Sequence, residues 1–409
     1  MNKKILVVCP SLPFPLTGAE QSDRAYGILQ LKRLGFDVSI LAKAYPRHQE
    51  TLKEAEQFFG VPIVTVSYKY QKCNNFFDLF KKYTRFFLNI LYIDGAAFEF
   101  SDNEMKQKLS TLLKDWKPDL VWFEYTYLWP LYDLVKAHNV PIITRSANFE
   151  PQHFLEEGGH GFLSQIMYFI KMKGEIKTIT NSSHIFAITP KEKKIYDKLT
   201  KTPVSVLPLR GLYQCFLQVP HSYNYKKKIN VFFMGSTYNV SHNYKDLSFI
   251  LKEIIPLLRQ RLDGRFVFHI LGKKIPKECE VYLGDDVLYD GYVDDLYTTL
   301  QDMDVACIPS LGGCGMQQKI FESLCLGIPT VTSERGVAHY PFVHGTHLLT
   351  AQSAEEFVWS IEVLCDEKER SRIGTSARFL SRELFERKVI DGIVYNVISD
   401  VMTSYEQKH

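Results

Sequence analysis

The second half of the chain contains the stretch that decides the fold, and it runs Val305-Ala306-Cys307-Ile308-Pro309-Ser310-Leu311-Gly312-Gly313-Cys314-Gly315-Met316-Gln317-Gln318-Lys319-Ile320-Phe321-Glu322. A short apolar run predicts a buried strand over Val305–Pro309, and apolar residues at helical spacing predict a helix from near Met316 to Leu326. Gly327-Ile328-Pro329 ends that helix, and Thr330–Thr332 predicts the next strand. The order strand, glycine-rich turn, helix and strand is typical of a parallel α/β sheet.

The glycine-rich turn also indicates a binding site. Gly312, Gly313 and Gly315 permit positive φ angles and leave the backbone N–H groups at the helix start open to an anion. Helical spacing puts Gly315, Lys319 and Glu322 on one face, where Lys319 can contact phosphates. An ionised Glu322 can accept hydrogen bonds from vicinal ribose hydroxyls. The stretch therefore predicts a nucleotide site; the alternative is a structural turn whose lysine and glutamate form an exposed pair.

The same alternation of strands and helices occurs in two sets along the chain. Apolar runs of the first half predict strands at Ile5–Cys9, Asp37–Leu41, Ile63–Ser67, Leu120–Glu124, Ile142–Arg145 and His184–Ile188. Runs of the second half predict strands at Asn230–Met234, Phe266–Leu271, Val287–Tyr289, Val305–Pro309, Thr330–Thr332 and His347–Leu349. Amphipathic segments predict helices at Gly18–Leu34, Asn103–Trp116, Ala354–Cys365, Glu367–Leu380 and Val389–Tyr405.

The length of the chain also indicates two domains, because 409 residues exceed the size at which one hydrophobic core usually stops growing. A stretch near residue 210 contains prolines and tyrosines without periodicity, as a linker does. We therefore expect an amino-terminal domain at 1–209, a carboxyl-terminal domain at 210–385 and a last helix at 386–409.

Composition excludes several classes of protein. A net charge of +3 is far from the strongly basic balance of a nucleic-acid binder, so no nucleic acid partner is expected. The eight cysteines form no Cys-x-x-Cys pair and no zinc spacing, which indicates reduced thiols in a cytoplasmic protein. The first apolar run ends at Pro10, too early for a secretory signal, and no apolar stretch reaches the length of a membrane span.

The glycine-rich stretch Val305–Glu322 and several segments around it resemble glycosyltransferase family 4, a family of group 1 glycosyltransferases. Its signature matches Gly313, Gly315, Lys319, Glu322 and the Gly327-Ile328-Pro329 turn. Flanking segments that resemble the family are Phe233-Met234-Gly235-Ser236 with Asn243, Ile270-Leu271-Gly272, Gly291-Tyr292-Val293-Asp294-Asp295-Leu296 and Val343-His344-Gly345-Thr346-His347-Leu348-Leu349-Thr350-Ala351.

The resemblance implies an α/β protein of the GT-B fold, with two Rossmann-like domains facing each other across a cleft and a carboxyl-terminal helix crossing back to the first. It implies a metal-independent transfer, with retention at the anomeric carbon, from a nucleotide-diphosphate sugar to a glycan or lipid-linked acceptor. It further implies a role in bacterial polysaccharide or glycolipid synthesis, and no cofactor is expected.

The resemblance also implies roles for individual residues. The diphosphate would contact Lys319 and the loop formed by Gly313, Cys314, Gly315 and Met316, and the ribose would contact Glu322. The remaining donor-binding residues that it implies are Gly18, Gly235, Ser236, Gly272, Tyr292 and Val293. Gly18 begins the first crossover helix, so its amide could face the phosphates; a plain turn glycine is the alternative.

Two positions depart from the family pattern. Cys314 lies where many members have the first glutamate of a Glu-x7-Glu pair, and Ala147 lies where many have a histidine near the reacting sugar. Arg145, Asn148 or Glu150 could cover part of that histidine's role, and a structural loop role is equally open for each. We name Asn148 and Glu150 with Lys319 and Glu322 as candidate catalytic residues.

Two further features have competing interpretations. Asp302-Met303-Asp304 matches the metal motif of the other major glycosyltransferase fold, but it directly precedes a buried strand, so Asp304 is interpreted as a strand-entry residue. Residues 68–92 and Phe162–Lys173 combine bulky apolar residues with lysine and arginine. Each segment could lie in a bilayer interface, at the inner face of the cell membrane, or pack on the first domain with a solvated basic face.

Three other functions are alternatives for such a chain. A dinucleotide oxidoreductase would need Gly-x-Gly-x-x-Gly after the first strand, where Pro10–Gly18 has one glycine and three prolines. A GT-B sugar-nucleotide epimerase would share the donor site but needs an acid and a base that the sequence does not identify. A non-catalytic GT-B subunit that binds a nucleotide-sugar is the third, and the missing histidine and glutamate motivate it.

Overall fold

The computed structural model describes residues 2–16, 18–44, 49–68, 80, 84, 94–159, 161–218, 220–223, 227–312 and 315–407. Contacts divide the chain into two units. Unit 1 comprises Met1–Arg210 and Asp391–His409, and unit 2 comprises Gly211–Ile390. Each unit contains one sheet whose described strands pair in parallel.

The sheet of unit 1 has seven strands in the order β3-β2-β1-β4-β5-β6-β7. They are β1 Lys4–Cys9, β2 Asp37–Ala44, β3 Ile63–Ser67, β4 Leu120–Phe123, β5 Ile142–Arg145, β6 His184–Ala187 and β7 Val204–Val206. Strands β1, β4 and β6 are almost fully buried, because helices cover both faces of the sheet, and they are therefore nearly continuous apolar runs. The strand order reverses between β1 and β4.

The helices of unit 1 connect these strands. They are Ala19–Arg33, Gln49–Phe59, Gly95–Phe100, Asn103–Asp115, Tyr132–Lys136, Glu150–Gly158, Phe162–Asn181 and Pro190–Leu199, with a 3₁₀ helix at Thr126–Leu131. Asp102 caps the helix Asn103–Asp115, because its side chain accepts a hydrogen bond from the Met105 amide at 3.0 Å. Thr189 caps the helix Pro190–Leu199 by accepting a hydrogen bond from the Glu192 amide at 3.1 Å. Both side chains satisfy amides that have no partner within their helix.

The sheet of unit 2 has six strands in the order β10-β9-β8-β11-β12-β13. They are β8 Ile229–Thr237, β9 Phe266–Lys273, β10 Val287–Gly291, β11 Val305–Ile308, β12 Thr330–Thr332 and β13 Leu349–Thr350. The helices are Leu212–Phe216, Ser241–Phe249, Ile255–Arg261, Leu296–Gln301, Gln318–Leu326, Ala354–Val363 and Glu367–Phe385, with a π-helical turn at Ile250–Ile254 and 3₁₀ helices at Lys277–Tyr282 and Glu334–Val337. Here the strand order reverses between β8 and β11.

The last helix, Arg387–Glu406, contributes its residues from Asp391 onward to unit 1. Asp391 accepts hydrogen bonds from Gln30 at 2.9 Å and from Arg33 at 2.7 Å. Glu406 pairs with Lys3 at 2.7 Å. Side chains therefore fix both ends of this segment onto unit 1.

The predicted strands are present with small differences at their ends, except in two places. The last predicted strand, His347–Leu349, is wrong in position, because His347 lies in a turn where its Nδ1 accepts from the Val343 amide at 3.0 Å and the strand is Leu349–Thr350. Strand β7 was not predicted; its three residues are all half-buried and form no apolar run.

No helix in the described part of the chain is long and apolar enough to cross a bilayer. The predicted interfacial segment 68–92 lies outside the described residues except at 68, 80 and 84. Among the described cysteines, Cys9, Cys279, Cys307, Cys325 and Cys365 are free thiols.

Candidate nucleotide-binding site

The residues of the glycine-rich stretch gather where the strand order of unit 2 reverses. The loop after β11 and the segment after β8 leave neighbouring parallel strands, whose next strands lie on opposite sides of the pair. Right-handed crossovers therefore put the helices that follow them on opposite faces of the sheet. In open α/β sheets, ligands bind outside the carboxyl ends of the strands at such a reversal. The fold therefore brings Gly235 on β8 and the loop beginning at Ser310 to the position at which a ligand is expected.

The loop after β11 is shaped by two residues with positive φ angles. Ser310 has a φ of 56° and Gly315 has a φ of 73°. The side-chain amide of Gln317 donates to the Gly312 carbonyl at 2.9 Å, which joins the two ends of the turn. Gly313 and Cys314 lie outside the described residues, so their predicted roles at the diphosphate stay predictions.

The helix after this loop is Gln318–Leu326, two residues later than expected. Gly315 therefore lies in the loop and not on the helix face with Lys319 and Glu322, which corrects the predicted arrangement. The amides of the first helical turn have no partner within the helix and, with the helix dipole, favour an anion. Gly327, with a φ of 90°, ends the helix in the left-handed region, as the Gly-Ile-Pro turn predicts.

The end of this helix packs tightly against the helix Glu367–Phe385. A Cβ on Gly374 would lie 2.0 Å from the Gly327 carbonyl oxygen, so only glycine allows the two backbones to approach this closely. The Tyr223 hydroxyl donates to the same carbonyl at 2.5 Å. These contacts fix the helix whose first turns form the candidate site.

Lys319 is held by groups of the opposite layer. Its Nζ lies 2.9 Å from Asp246 Oδ2 and 3.4 Å from Asn243 Oδ1, and it lies over the ring of Phe233 at 4.6 Å from the centroid. Its side chain is 14% exposed. Burial lowers the pKa of Lys319, and the carboxylate of Asp246 opposes that shift. The alternative of an exposed Lys–Glu pair is therefore wrong, because Lys319 pairs with Asp246.

Glu322 lies one turn further along the same helix and is 4% exposed. Its carboxyl accepts a hydrogen bond from the Gln318 side-chain amide. Burial raises the pKa of Glu322 to about 7, although Gln318 acts in the opposite direction. A buried carboxyl near its pKa at neutral pH, whose neighbour is an uncharged amide, is the kind of perturbed group that binding sites contain.

The other predicted donor residues of unit 2 lie along the carboxyl edge of the same sheet. Gly235 and Gly272 approach each other closely, since a Cβ on Gly272 would lie 2.1 Å from the Gly235 carbonyl oxygen. Tyr292 is half exposed, and Lys273 Nζ lies 3.7 Å from the centroid of its ring. Ser236 is exposed and Val293 is half-buried. Met316, just before the helix, is buried.

In unit 1, Gly18 begins the helix Ala19–Arg33 in an extended conformation, as expected for the first crossover. Arg145 is not available as a site residue, which corrects that hypothesis. It is 1% exposed and donates to Asp23 at 3.4 Å and to the Pro208 carbonyl at 3.3 Å. Burial would raise the pKa of Asp23, but Arg210 and Arg145 outweigh burial and lower it to about 2. Arg145 therefore belongs to a buried ion-pair network.

Glu150 begins the helix Glu150–Gly158, at the carboxyl side of β5, and is almost fully buried. Its two carboxylate oxygens accept hydrogen bonds, one from the Tyr125 hydroxyl at 2.7 Å and one from the Tyr127 hydroxyl. Burial, with Glu150 as the next cause, raises the pKa of both tyrosines, so their hydroxyls stay protonated and donate. Asn148 is half-buried, and its carbonyl accepts from the Ser146 hydroxyl at 2.8 Å.

A second carboxyl lies beside Glu150. Glu175 accepts from the Thr126 hydroxyl at 2.9 Å, from the Tyr196 hydroxyl at 3.2 Å and from the Glu150 amide at 3.4 Å. Burial, reinforced by the charge of Glu150, raises the pKa of Glu175 to about 8. The two carboxyls and their tyrosines form one polar cluster next to the strand reversal of unit 1.

Asp304 is a strand-entry residue, as the sequence predicts. Its Oδ2 accepts from the Asn230 amide at 2.8 Å, and its own amide donates to the Asn230 carbonyl at 2.8 Å. The described residues contain no group of three or more His, Cys, Asp or Glu side chains that could hold a metal ion.

Sequence reasoning missed Asp246. It lies on the helix Ser241–Phe249, is 1% exposed, and contacts both Lys319 and the Leu311 amide. One signal was available in the sequence: a carboxylate one turn after Asn243, next to the apolar Leu247, must find a partner if that helix face is buried.

Residues 228–367 match a family model described as glycosyl transferases group 1. This segment therefore resembles the group 1 glycosyltransferases, and we call it the group 1 domain. The matched range contains Lys319, Glu322 and Asp246, so the site described above lies inside the domain. The resemblance to group 1 glycosyltransferases is confirmed. No curated protein matches the sequence significantly.

Solved structures share the fold along nearly the whole chain. Sucrose-phosphate synthase from Thermosynechococcus elongatus has a TM-score of 0.69 at 13% identity, covering 98% of this chain and 100% of that one. HepE of Anabaena in complex with UDP and glucose has a TM-score of 0.65 at 13% identity, with coverages of 98% and 100%. A mutant of S. aureus TarM, solved with Fondaparinux, alpha-GlcNAc-glycerol and UDP, has a TM-score of 0.67 at 11% identity, with coverages of 98% and 99%. These likenesses confirm the predicted GT-B fold.

Proposed function

We propose that the chain transfers a sugar, with retention of anomeric configuration, from a nucleotide-diphosphate sugar to a glycan or lipid-linked acceptor. One observation carries the proposal. Lys319, which pairs with Asp246, and the buried Glu322 lie one turn apart on the helix that follows the glycine-rich loop of the group 1 domain. The positive charge and the helix start suit a diphosphate, and the carboxylate suits the ribose hydroxyls behind it.

In this proposal the protein supplies positioning and charge stabilisation. Lys319 and the amides of the loop stabilise the negative charge that develops on the diphosphate as the sugar leaves. The same groups provide the positive charge that a metal would otherwise supply, so the reaction needs no metal. The donor phosphate takes the proton of the acceptor hydroxyl on the face from which it departs, which gives retention.

Unit 1 would supply the acceptor site. Tyr125 and Tyr127 follow β4, which flanks the reversal, and Glu150, to which both donate, follows the adjacent β5; both rings are partly exposed. Tyrosine rings can pack on the apolar face of a sugar, while carboxylates and hydroxyls bind its hydroxyl groups. Glu150 and Asn148 remain the candidate residues on this side of the reaction.

Peripheral membrane contact is part of the proposal and rests on the helix Phe162–Asn181. This helix exposes Phe162, Phe169 and Ile176, and its single acidic residue, Glu175, is buried. Lys173 and Lys177 are exposed on the same helix, so an apolar face with basic groups suits an anionic bilayer surface. The enzyme would then be a cytoplasmic one, at the inner face of a bacterial membrane, in polysaccharide or glycolipid synthesis.

Vesicle sedimentation tests this contact. Vesicles containing phosphatidylglycerol should bind the wild type better than vesicles of phosphatidylcholine alone, and the double change Phe162→Ser with Phe169→Ser should reduce that binding at least several-fold. The matched control is Phe379→Ser, since Phe379 is also an exposed helical phenylalanine but lies in unit 2. Equal binding by all three proteins would refute the contact.

Incubation with UDP-, GDP-, ADP- and dTDP-sugars tests the transfer itself. Slow donor hydrolysis, or transfer to added lipid-linked sugars, should fall at least about a hundredfold in Lys319→Ala, as loss of charge stabilisation does elsewhere. It should fall about tenfold to a hundredfold in Glu322→Ala, through loss of the ribose hydrogen bonds to a charged acceptor. The matched controls are Lys252→Ala and Glu383→Ala, which change exposed residues of the same unit. Proton NMR of the first product gives its anomeric configuration, and an inverted product would refute retention.

Two other outcomes would replace the proposal. Binding of a nucleotide-sugar without hydrolysis or transfer, for every donor and acceptor tried, would indicate a non-catalytic binding subunit. Release of an isomeric sugar in the absence of an acceptor would indicate an epimerase.

A further inference from the structure

Asp246 connects three elements of the group 1 domain. It lies on the helix Ser241–Phe249 that follows β8, and its side chain is 1% exposed. One carboxylate oxygen, Oδ1, accepts from the Leu311 amide at 2.8 Å, and the other, Oδ2, lies 2.9 Å from Lys319 Nζ. Leu311 begins the glycine-rich loop and Lys319 follows its end, so one buried carboxylate contacts both sides of the loop.

Among the described residues, Lys319 has little besides Asp246 to support its charge. Its other neighbours are the neutral carbonyl of Asn243, at 3.4 Å, and the ring of Phe233. Burial acts against the protonated form of an amine, and a nearby carboxylate acts for it. Removing the carboxylate would therefore leave a buried amine that loses its proton at a lower pH.

We propose that Asp246 is a positioning residue of the donor site. It fixes the start of the glycine loop through Leu311, and it keeps Lys319 protonated and aimed at the place where the diphosphate binds. The inference rests on the proposed function, because it assigns Asp246 to the nucleotide-sugar site of that function. Asp246 itself does not contact the donor.

Three other titratable groups among the described residues surround this position, and none changes charge above about pH 8. Tyr238 is buried and donates to the Leu271 carbonyl at 2.6 Å, and burial, with Asp246 as a lesser cause, raises the pKa of its hydroxyl well above the usual range. Cys307, on β11, is fully buried, and burial, with Asp246 as a further cause, raises the pKa of its thiol well above the usual range. Glu322, on the helix of Lys319, has a pKa of about 7 and is mostly ionised above pH 8. Above about pH 8, a difference between the wild type and a variant in the pH dependence of donor binding therefore reports on Lys319, whose pKa burial lowers, whereas ionisation of the nucleobase affects the wild type and every variant alike.

The experiment first selects a ligand by calorimetry of the full chain with UDP, GDP, ADP and dTDP, and then uses the corresponding nucleotide-sugar. Its affinity is measured against pH for the wild type and for Asp246→Asn. The midpoint at which affinity falls with rising pH should move down by about one to three pH units in Asp246→Asn, because an opposite charge at this distance shifts a pKa by that amount. The matched control, Asp263→Asn, changes an exposed aspartate of the same unit and should leave the midpoint unchanged.

Two further variants separate positioning from folding. Adding Lys319→Arg to Asp246→Asn should abolish the fall in affinity at high pH, because a guanidinium stays protonated. Asp246→Glu keeps the charge and should keep the midpoint near that of the wild type, even if the longer side chain weakens binding. Thermal unfolding identifies any variant that fails to fold, and the Asp246→Glu midpoint then still tests the role of the charge against the wild type.

The outcomes are distinct. If the wild type binds a nucleotide-sugar and Asp246→Asn shows the same pH midpoint, whatever its affinity, then Asp246 has only a structural role and the inference is wrong. If the wild type binds none of the four nucleotides, the proposed function fails and the inference fails with it.

Discussion

The ionisation of Glu322 should control donor affinity around neutral pH. Burial raises the pKa of this carboxyl to about 7, and its hydrogen-bond partner is the uncharged amide of Gln318. Two ribose hydroxyls can both donate to a carboxylate, whereas a protonated carboxyl has one oxygen that carries a proton and is a poor acceptor. We therefore expect the donor to bind the ionised form of Glu322.

The size of the effect follows from the pKa. With a pKa of about 7, about one tenth of the Glu322 carboxyls are ionised at pH 6 and about nine tenths at pH 8. Affinity for a nucleotide-sugar should accordingly rise about tenfold over this interval, which corresponds to about 1.4 kcal/mol. In Glu322→Gln the rise should vanish, and affinity at pH 8 should fall by about 1.5–3 kcal/mol through loss of hydrogen bonds to a charged acceptor.

The assay is calorimetric titration of the full chain with a nucleotide-sugar at several pH values from 6 to 8. A nucleotide-sugar is preferable to a free nucleoside diphosphate, because a terminal phosphate loses its second proton near pH 6 and would add its own pH dependence. Glu383→Gln, at an exposed position of the same unit, is the matched control and should follow the wild type.

Equal pH profiles for the wild type and Glu322→Gln would refute this reasoning. So would a wild-type affinity that falls from pH 6 to pH 8. Either result would mean that Glu322 does not meet the donor as a carboxylate, and the ribose would then have to contact another residue.

Two further predictions concern stability. Glu175 has a folded pKa of about 8, above its ordinary value, so folding favours its protonated form and stability declines by about 1.4 kcal/mol per pH unit between about pH 4.5 and 8. In chemical unfolding, the free energy of unfolding of Glu175→Gln relative to that of the wild type should rise by about 1.4 kcal/mol per pH unit over this range. The same difference for Glu383→Gln should not change with pH. Gly374→Ala should cost about 1–3 kcal/mol by forcing a Cβ against the Gly327 carbonyl. Gly392→Ala, where nothing lies within 4 Å, should instead gain up to about 1 kcal/mol in thermal unfolding.

Most of the fold could be predicted because its strands are buried on both faces. Such strands are nearly continuous apolar runs, and Ile5–Cys9 and Val305–Ile308 are visible in the sequence for that reason. Strand β7 could not be found, because its three residues are half-buried and gain their partner from β6. The shifted strand at Leu349–Thr350 depended on a side-chain contact of His347 that no local pattern indicates.

In the candidate site, likewise, the sequence predicts the residues that are close together along the chain and misses those that only the tertiary fold brings together. Gly315, Lys319 and Glu322 lie within eight residues, so local spacing brings them together. The partner of Lys319 is 73 positions away in the sequence, and only the pairing of β8 with β11, which brings together the carboxyl ends of these strands and the helices that follow them, places it nearby. Arg145 was misjudged for a related reason, since a polar residue at the carboxyl end of a strand resembles a site residue until Asp23 and the Pro208 carbonyl are found to bind it.

The two charged groups of the site also differ in a way that has a thermodynamic consequence. Lys319 has a carboxylate partner in the free protein, so its charge is supported before the donor arrives. Glu322 has an uncharged partner, and burial leaves it close to half protonated at neutral pH. Binding that requires the carboxylate must therefore release part of a proton from Glu322 near pH 7, because affinity that rises with pH and proton release on binding are the same linkage. Calorimetry in buffers of different ionisation enthalpy measures that release directly, and it attributes the pH dependence to the binding step itself and not to a change in the stability of the fold.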